Sequence, residues 1–102
     1  MIEMKLEKDT KLICIDYDGT YTESPELFDY FIKKAKELGF SVIGCTMRYE
    51  NEIDEDLRHF EQMVDELYFS ERRAKKKYLE ELNINPQIWI DDTPEWLFVD
   101  SI

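Results

Sequence analysis

Apolar and polar positions follow two rhythms along this chain. Largely apolar runs occur at 12–15, 40–45 and 88–90, the second broken by Ser41. Runs that short suit strands buried on both faces, as in a parallel sheet. Between them the spacing turns helical. Ser24-Pro25-Glu26 supplies an N-cap, a first-turn proline and a first-turn acid. Leu27, Phe28, Phe31, Ile32, Ala35 and Leu38 then share one stripe, and Gly39 ends it. Asn51 is placed to cap a second helix that turns Ile53, Leu57 and Phe60 inward. The acids Glu52, Asp54, Glu55 and Asp56 crowd its first turn, where the helix dipole favours them. Ser70 is placed to cap a third helix running to about Leu82.

Strands are predicted over 11–16, 40–45, 64–69 and 88–90, with a short last strand over 97–102. Alternating strands and helices predict an α/β fold with a mostly parallel sheet. The whole chain, 1–102, reads as a single domain without repeats or linkers.

The first strand ends abruptly in Asp16-Tyr17-Asp18-Gly19-Thr20. Carboxylates at the rim of a hydrophobic core are costly unless a cation sits against them. A hard divalent ion takes oxygen ligands and leaves room for a phosphate. The ends of strands one, two and four carry Asp16 and Asp18, Thr46, and Asp91 with Asp92. In an open parallel sheet the ligand crevice lies outside those carboxyl ends, so the three positions converge.

The residue types fit phosphate chemistry. Asp16 and Asp18 can hold Mg²⁺, with Asp91 or Asp92 as a further oxygen ligand. A carboxylate can also attack phosphorus and form an aspartyl-phosphate. A second acid can protonate the leaving oxygen and then take a proton from water. Gly19 lets the chain turn beside a ligand, and Thr46 offers a hydroxyl and an N–H to a phosphate oxygen. Among Lys75, Lys76 and Lys77, only Lys75 falls on the stripe of Leu79 and Leu82. Lys76 aligns with Glu80 and Lys77 with Glu81, which suits solvent-facing pairs. A lysine on an apolar stripe needs a partner, and a carboxylate cluster would provide one. Arg72 competes from the same side, and Arg48 is placed either to reach substrate or to sit in an exposed loop. Tyr17, Tyr21, Tyr49 and Trp96 fall near the crevice, where they either stack on a flat group or fill the core. His59 is not assigned to chemistry.

Composition narrows the partners. The chain is 43% hydrophobic, enough for a core despite 36% charged residues. Its net charge of −11 disfavours nucleic acid. Cys14 and Cys45, both in apolar runs, read as buried reduced thiols. No segment is apolar enough to span a membrane, and residues 1–9 lack a signal-peptide stretch. A cytoplasmic location is expected.

With these residues in view, the chain resembles the haloacid dehalogenase (HAD) superfamily of phosphatases. Asp16-Tyr17-Asp18-Gly19-Thr20 is similar to the family's first motif, Thr46 to the second, Lys75 to the third and Asp91-Asp92 to the fourth. The resemblance implies a Rossmann-like three-layer fold with a five-stranded sheet of order 5-4-1-2-3. It implies Asp16 as nucleophile and Asp18 as acid/base, with the Asp18 backbone carbonyl also on Mg²⁺. It implies Thr46 and Lys75 on phosphate, and Asp91 and Asp92 completing the metal shell. Tyr17, Gly19, Met47 and Arg48 stand beside these as expected substrate contacts. Only 21–24 separates Thr20 from the first capped helix, so the usual cap domain is missing. The segment 46–48 with 89–92 resembles short capless members from bacteriophages, which would place the chain in host cytoplasm. A phosphorylated small molecule or nucleotide is the expected substrate, with subunit association as one way to cover an open site.

Two other classes compete. A receiver domain of the response-regulator type would carry its phosphorylated Asp at the end of the third strand, where this chain has Tyr68-Phe69-Ser70. A catalytically idle binding or regulatory protein of the same fold is the alternative to an enzyme.

Overall fold

A computed structural model describes residues 11–101. Four parallel strands form one sheet: β1 (Leu12–Ile15), β2 (Ser41–Thr46), β3 (Glu66–Phe69) and β4 (Ile88–Ile90), in the order β3-β2-β1-β4. Parallel neighbours need crossover connections. Three helices supply them: α1 (Pro25–Glu37), α2 (Glu55–Met63) and α3 (Lys75–Glu81). The protein is therefore α/β, with the strand order expected for the first four strands.

Alternation along each strand feeds two separate cores. Ile13, Ile15 and Val42 face Ile32 and Ala35 of α1 and Leu57 and Phe60 of α2. Cys14, Ile43 and Cys45 face Leu79 of α3 on the other side of the sheet. Both cysteines are buried and free. The chain thus winds from β1 to β3 along one face and returns to β4 across the other. That reversal opens the crevice between the carboxyl ends of β1 and β4.

The expected fifth strand over 97–102 is a correction, and its last residue lies outside the described range. Pro94–Leu97 forms a short 3-10 turn instead, and 98–101 pair with no strand among the described residues. Proline cannot donate to a sheet ladder. Beyond the turn, the chain is tied to the loop before α3: Ser101 N–H donates to the Arg72 carbonyl at 2.6 Å. The described residues hold four strands rather than five.

Local boundaries follow side-chain partners. Ser24 caps α1 as expected, accepting from Leu27 N–H, and Gly39 leaves the helix at φ +94°. Leu27 and Leu38 are 58% and 67% exposed, so the buried stripe of α1 is narrower than its apolar stripe. Asp54, not Asn51, caps α2, because its carboxylate accepts both Leu57 N–H and the Tyr17 hydroxyl. Ser70 does not cap α3. Its hydroxyl donates to the Arg73 carbonyl, and Glu71 and Arg72 follow at positive φ, delaying the helix to Lys75.

Gly44 in mid-β2 sets how close α2 approaches the sheet. A Cβ there would stand 2.5 Å from the Phe60 ring and 2.9 Å from a Leu67 methyl. Gly44→Ala is expected to cost about 1–3 kcal/mol through overpacking. Chemical denaturation checks this; an unchanged midpoint would show that the ring has room to move.

A candidate metal and phosphate site at the carboxyl ends

Asp16 follows β1 directly and extends its pairing, with its N–H on the Ile90 carbonyl at 2.9 Å. Its carboxylate is buried where β1 meets β4. Asp91 and Asp92 follow β4. Oxygens of Asp16, Asp91 and Asp92 all lie within 4.8 Å of one another, with Asp16 buried, Asp91 partly buried and Asp92 exposed, so this cluster could hold a metal ion.

Lys75 is the cation that makes the cluster tolerable. Its ammonium is buried and donates to Asp16 Oδ1 at 2.7 Å and to Asp91 Oδ2 at 2.6 Å. Burial works against its charge, but Asp16 and Asp91 outweigh that and hold the ammonium above its usual pKa. Three ionised carboxylates against one ammonium leave a charge of −2. A divalent ion offsets that residue, and the donors are the hard oxygens Mg²⁺ or Ca²⁺ prefers.

Hydroxyls hold the acids in place. Thr20 donates at 3.1 Å to Asp92 and lies 3.4 Å from Asp16, while accepting the Asp92 N–H at 3.0 Å. Thr93 N–H donates to Asp91, and its hydroxyl donates to Asp92. Gly19, at φ +82°, packs against Asp92: a Cβ would meet that carboxylate at 2.5 Å. Thr20 and Thr93 were not among the predicted site residues. The signal available was their position beside each acidic pair.

Asp18 sits apart from the three-carboxylate cluster. Its half-exposed carboxylate takes a two-point contact from Arg48, at 3.0 Å from Nε and 2.8 Å from Nη2. Arg48 also bonds Asp54 at 3.2 Å and the Glu52 carbonyl at 2.7 Å, and lies over the Tyr17 ring at 5.1 Å. The Asp18 hydrogen bonds, then its charge, hold the guanidinium firmly protonated. Arg48, placed in sequence either to reach substrate or to sit in an exposed loop, here clamps Asp18.

Tyr17 is a second correction. Strand alternation turns it away from the acids into the core, where its ring packs 5.6 Å from Phe60 and 5.9 Å from Tyr21. Tyr21 is buried there too, its hydroxyl on Asp29, which also holds His59. Thr46 is fully buried at the end of β2, its hydroxyl accepting Arg48 N–H at 3.3 Å. Arg72 points elsewhere, bonding Glu52 and the Met47 carbonyl.

A cleft of about 180 Å³ opens over this arrangement, lined by Asp16, Asp18, Lys75 and Asp92 together with Met47, Thr93, Trp96 and Ser101. A larger hollow of about 260 Å³ beside Lys11 and Phe40 lies at the amino ends of the strands and carries no acid.

Burial pushes the Asp16 carboxyl up to about 7, outweighing the Lys75 ammonium; Asp92 and Asp91 add to the rise. Asp92 is held low, first by its hydrogen bond with Asp16, then, against some burial, by Thr93 and Thr20. A carboxyl raised on folding stabilises the fold fully below its unfolded pKa. That contribution is lost as pH rises through the folded value, here between about pH 4 and pH 7. With chelator present, unfolding free energy is expected to fall by about 1 kcal/mol per pH unit across that window. Urea titrations at stepped pH check it; a flat profile would count against a protonated Asp16.

Among the described residues no helix is long and apolar enough to cross a membrane. No family model, curated protein or solved structure matches this chain.

Proposed function

We propose that the chain is a Mg²⁺-dependent phosphomonoester hydrolase of the HAD type, Rossmann-like and capless, acting in the cytoplasm through an aspartyl-phosphate on Asp16. The observation that carries this reading is the buried Asp16 carboxylate, gripped by Lys75 beside Asp91 and Asp92. Such a carboxylate is an unusual group to bury for stability alone.

The cluster of Asp16, Asp91 and Asp92 would hold the ion, with the Asp18 carbonyl as the further ligand the resemblance implies. Bound Mg²⁺ supplies charge that offsets repulsion between the Asp16 carboxylate and a phosphate dianion. The chain's own groups do the rest. An Asp16 oxygen forms a bond to phosphorus while the ester P–O bond breaks. Lys75 keeps that carboxylate aimed and shares the developing charge. Asp18, released from Arg48 and protonated, gives its proton to the leaving alkoxide. Water then attacks phosphorus, Asp18 takes the water's proton, and the Asp16–phosphorus bond breaks to give inorganic phosphate.

A second reading, an idle binding protein of the same fold, draws on one observation: the Arg48 clamp occupies the acid/base residue. Hydrolysis of phenyl phosphate with Mg²⁺, in the parent protein and in Asp16→Asn, separates the two. The hydrolase reading expects Mg²⁺-dependent turnover that Asp16→Asn abolishes. No turnover, or turnover indifferent to the substitution, overturns it.

A further inference from the structure

We infer that the segment 93–101 takes the part of a cap, and that it selects phosphomonoesters whose leaving group has a flat face and no second anionic group. The inference rests on the hydrolase reading above and names the substrate class for that site.

The segment is anchored at both ends of its path. It leaves β4 through the acids at 91–92, and Leu97, the last residue of the turn Pro94–Leu97, is buried. It then returns to the loop that precedes α3. Ala74 N–H donates to Asp100 Oδ1 at 2.7 Å, and Ser101 N–H donates to the Arg72 carbonyl at 2.6 Å. The residue after Ala74 is Lys75. The same loop therefore positions the ammonium on Asp16 and holds the segment over the cleft. That puts the half-buried Trp96 and Ser101 in the lining of the cleft, together with Met47. Among the described residues no other element contributes a comparable wall: Thr20 leads straight into the turn Tyr21–Glu23, and β2 into the short turn Glu50–Glu52. A leaving group in this cleft thus has an indole and a thioether among its neighbours. Both favour flat, polarisable surfaces.

Charge supplies the other half of the selection. Among the described residues, each cation near the cleft is already paired: Lys75 with Asp16 and Asp91, Arg48 with Asp18 and Asp54, Arg72 with Glu52. The cleft lining carries three acids, Asp16, Asp18 and Asp92, against the single ammonium of Lys75. One phosphoryl group has Lys75 to meet it. A second anion on the leaving group enters a cleft lined by three acids and one ammonium, and the net repulsion is expected to cost about tenfold in affinity.

The test compares phenyl phosphate, 4-carboxyphenyl phosphate and acetyl phosphate as substrates with Mg²⁺. For the parent protein, kcat/KM is expected to be about tenfold higher for phenyl than for 4-carboxyphenyl phosphate at low salt, narrowing in high salt. Trp96→Ala should raise KM for phenyl phosphate about tenfold more than for acetyl phosphate, and Trp96→Phe should recover most of the loss. Equal use of the two aryl substrates, or equal losses for phenyl and acetyl phosphate, overturns the inference. If no substrate turns over, the hydrolase reading has failed, and the wall is read by binding. Indole fluorescence of a Trp89→Phe protein, with Trp96 its remaining tryptophan, is then titrated with phenyl phosphate and with inorganic phosphate. Quenching by phenyl phosphate alone supports the wall; quenching by neither overturns it.

Discussion

Asp16→Asn is expected to lower phosphatase turnover by a factor on the order of 10⁴ or more, since removing a nucleophile removes the covalent route itself. The same substitution should leave the metal-free protein at least as stable as the parent near pH 8. The reason lies in the burial of Asp16, which pushes its carboxyl up to about 7. Above that pH the fold holds a charge that water would solvate better. Asparagine keeps the shape and removes the charge, and Lys75 keeps Asp91 as a partner. Activity and stability should therefore move in opposite directions, a pattern expected where a site is built against the interest of the fold. Steady-state rates and urea midpoints on one preparation measure both. A variant that loses stability along with activity would mark Asp16 as a structural ion-pair partner first.

Lys75→Met is expected to have the largest effect on stability. It removes the one ammonium that both Asp16 and Asp91 accept from, inside the protein. Breaking a buried pair from one side typically costs about 3–5 kcal/mol, because the remaining charges stay buried. Two conditions should recover part of the loss. Near pH 5, roughly two units below the Asp16 value of about 7, that carboxyl carries a proton and needs no cation. With Mg²⁺ present, binding to the native cluster alone adds stability by mass action. Thermal unfolding at two pH values, with chelator and with Mg²⁺, checks the set. Loss of the same size under all four conditions would show that Lys75 contributes packing rather than charge.

Helical phase picked Lys75 from three adjacent lysines because it shares a face with Leu79, which is buried with it, while Leu82 at the end of that stripe is exposed and Lys76 pairs with Glu80 at the surface. Asp16, Asp91 and Asp92 were legible for a related reason. Each follows an apolar run, and a parallel sheet brings the ends of such runs together. Gly39 and Ser24 were legible because helix ends need a cap and a left-handed exit. What stayed hidden depends on partners far away in sequence. Arg48 belongs to Asp18 and Asp54 because β2 lies beside β1, which no local spacing discloses. Tyr17 could be placed on either side of the turn until Phe60 supplied the opposing ring. The last apolar residues, 97–99, have strand-like composition, but Pro94 and the Asp100 contact to Ala74 draw them into a strap.

Asp54 gives the site a distant reporter. Its carboxylate accepts Leu57 N–H and the Tyr17 hydroxyl through one oxygen, and the Arg48 guanidinium through the other. Arg48 in turn grips Asp18. Any event that frees Asp18 shifts the guanidinium, and with it the carboxylate that fastens the first turn of α2. The amide of Leu57, which touches no ligand in this scheme, should therefore change its resonance and its hydrogen-exchange rate when the cleft is filled. Spectroscopy of one backbone N–H on a helix would let an observer follow Asp18, the proposed acid/base, without labelling the site itself.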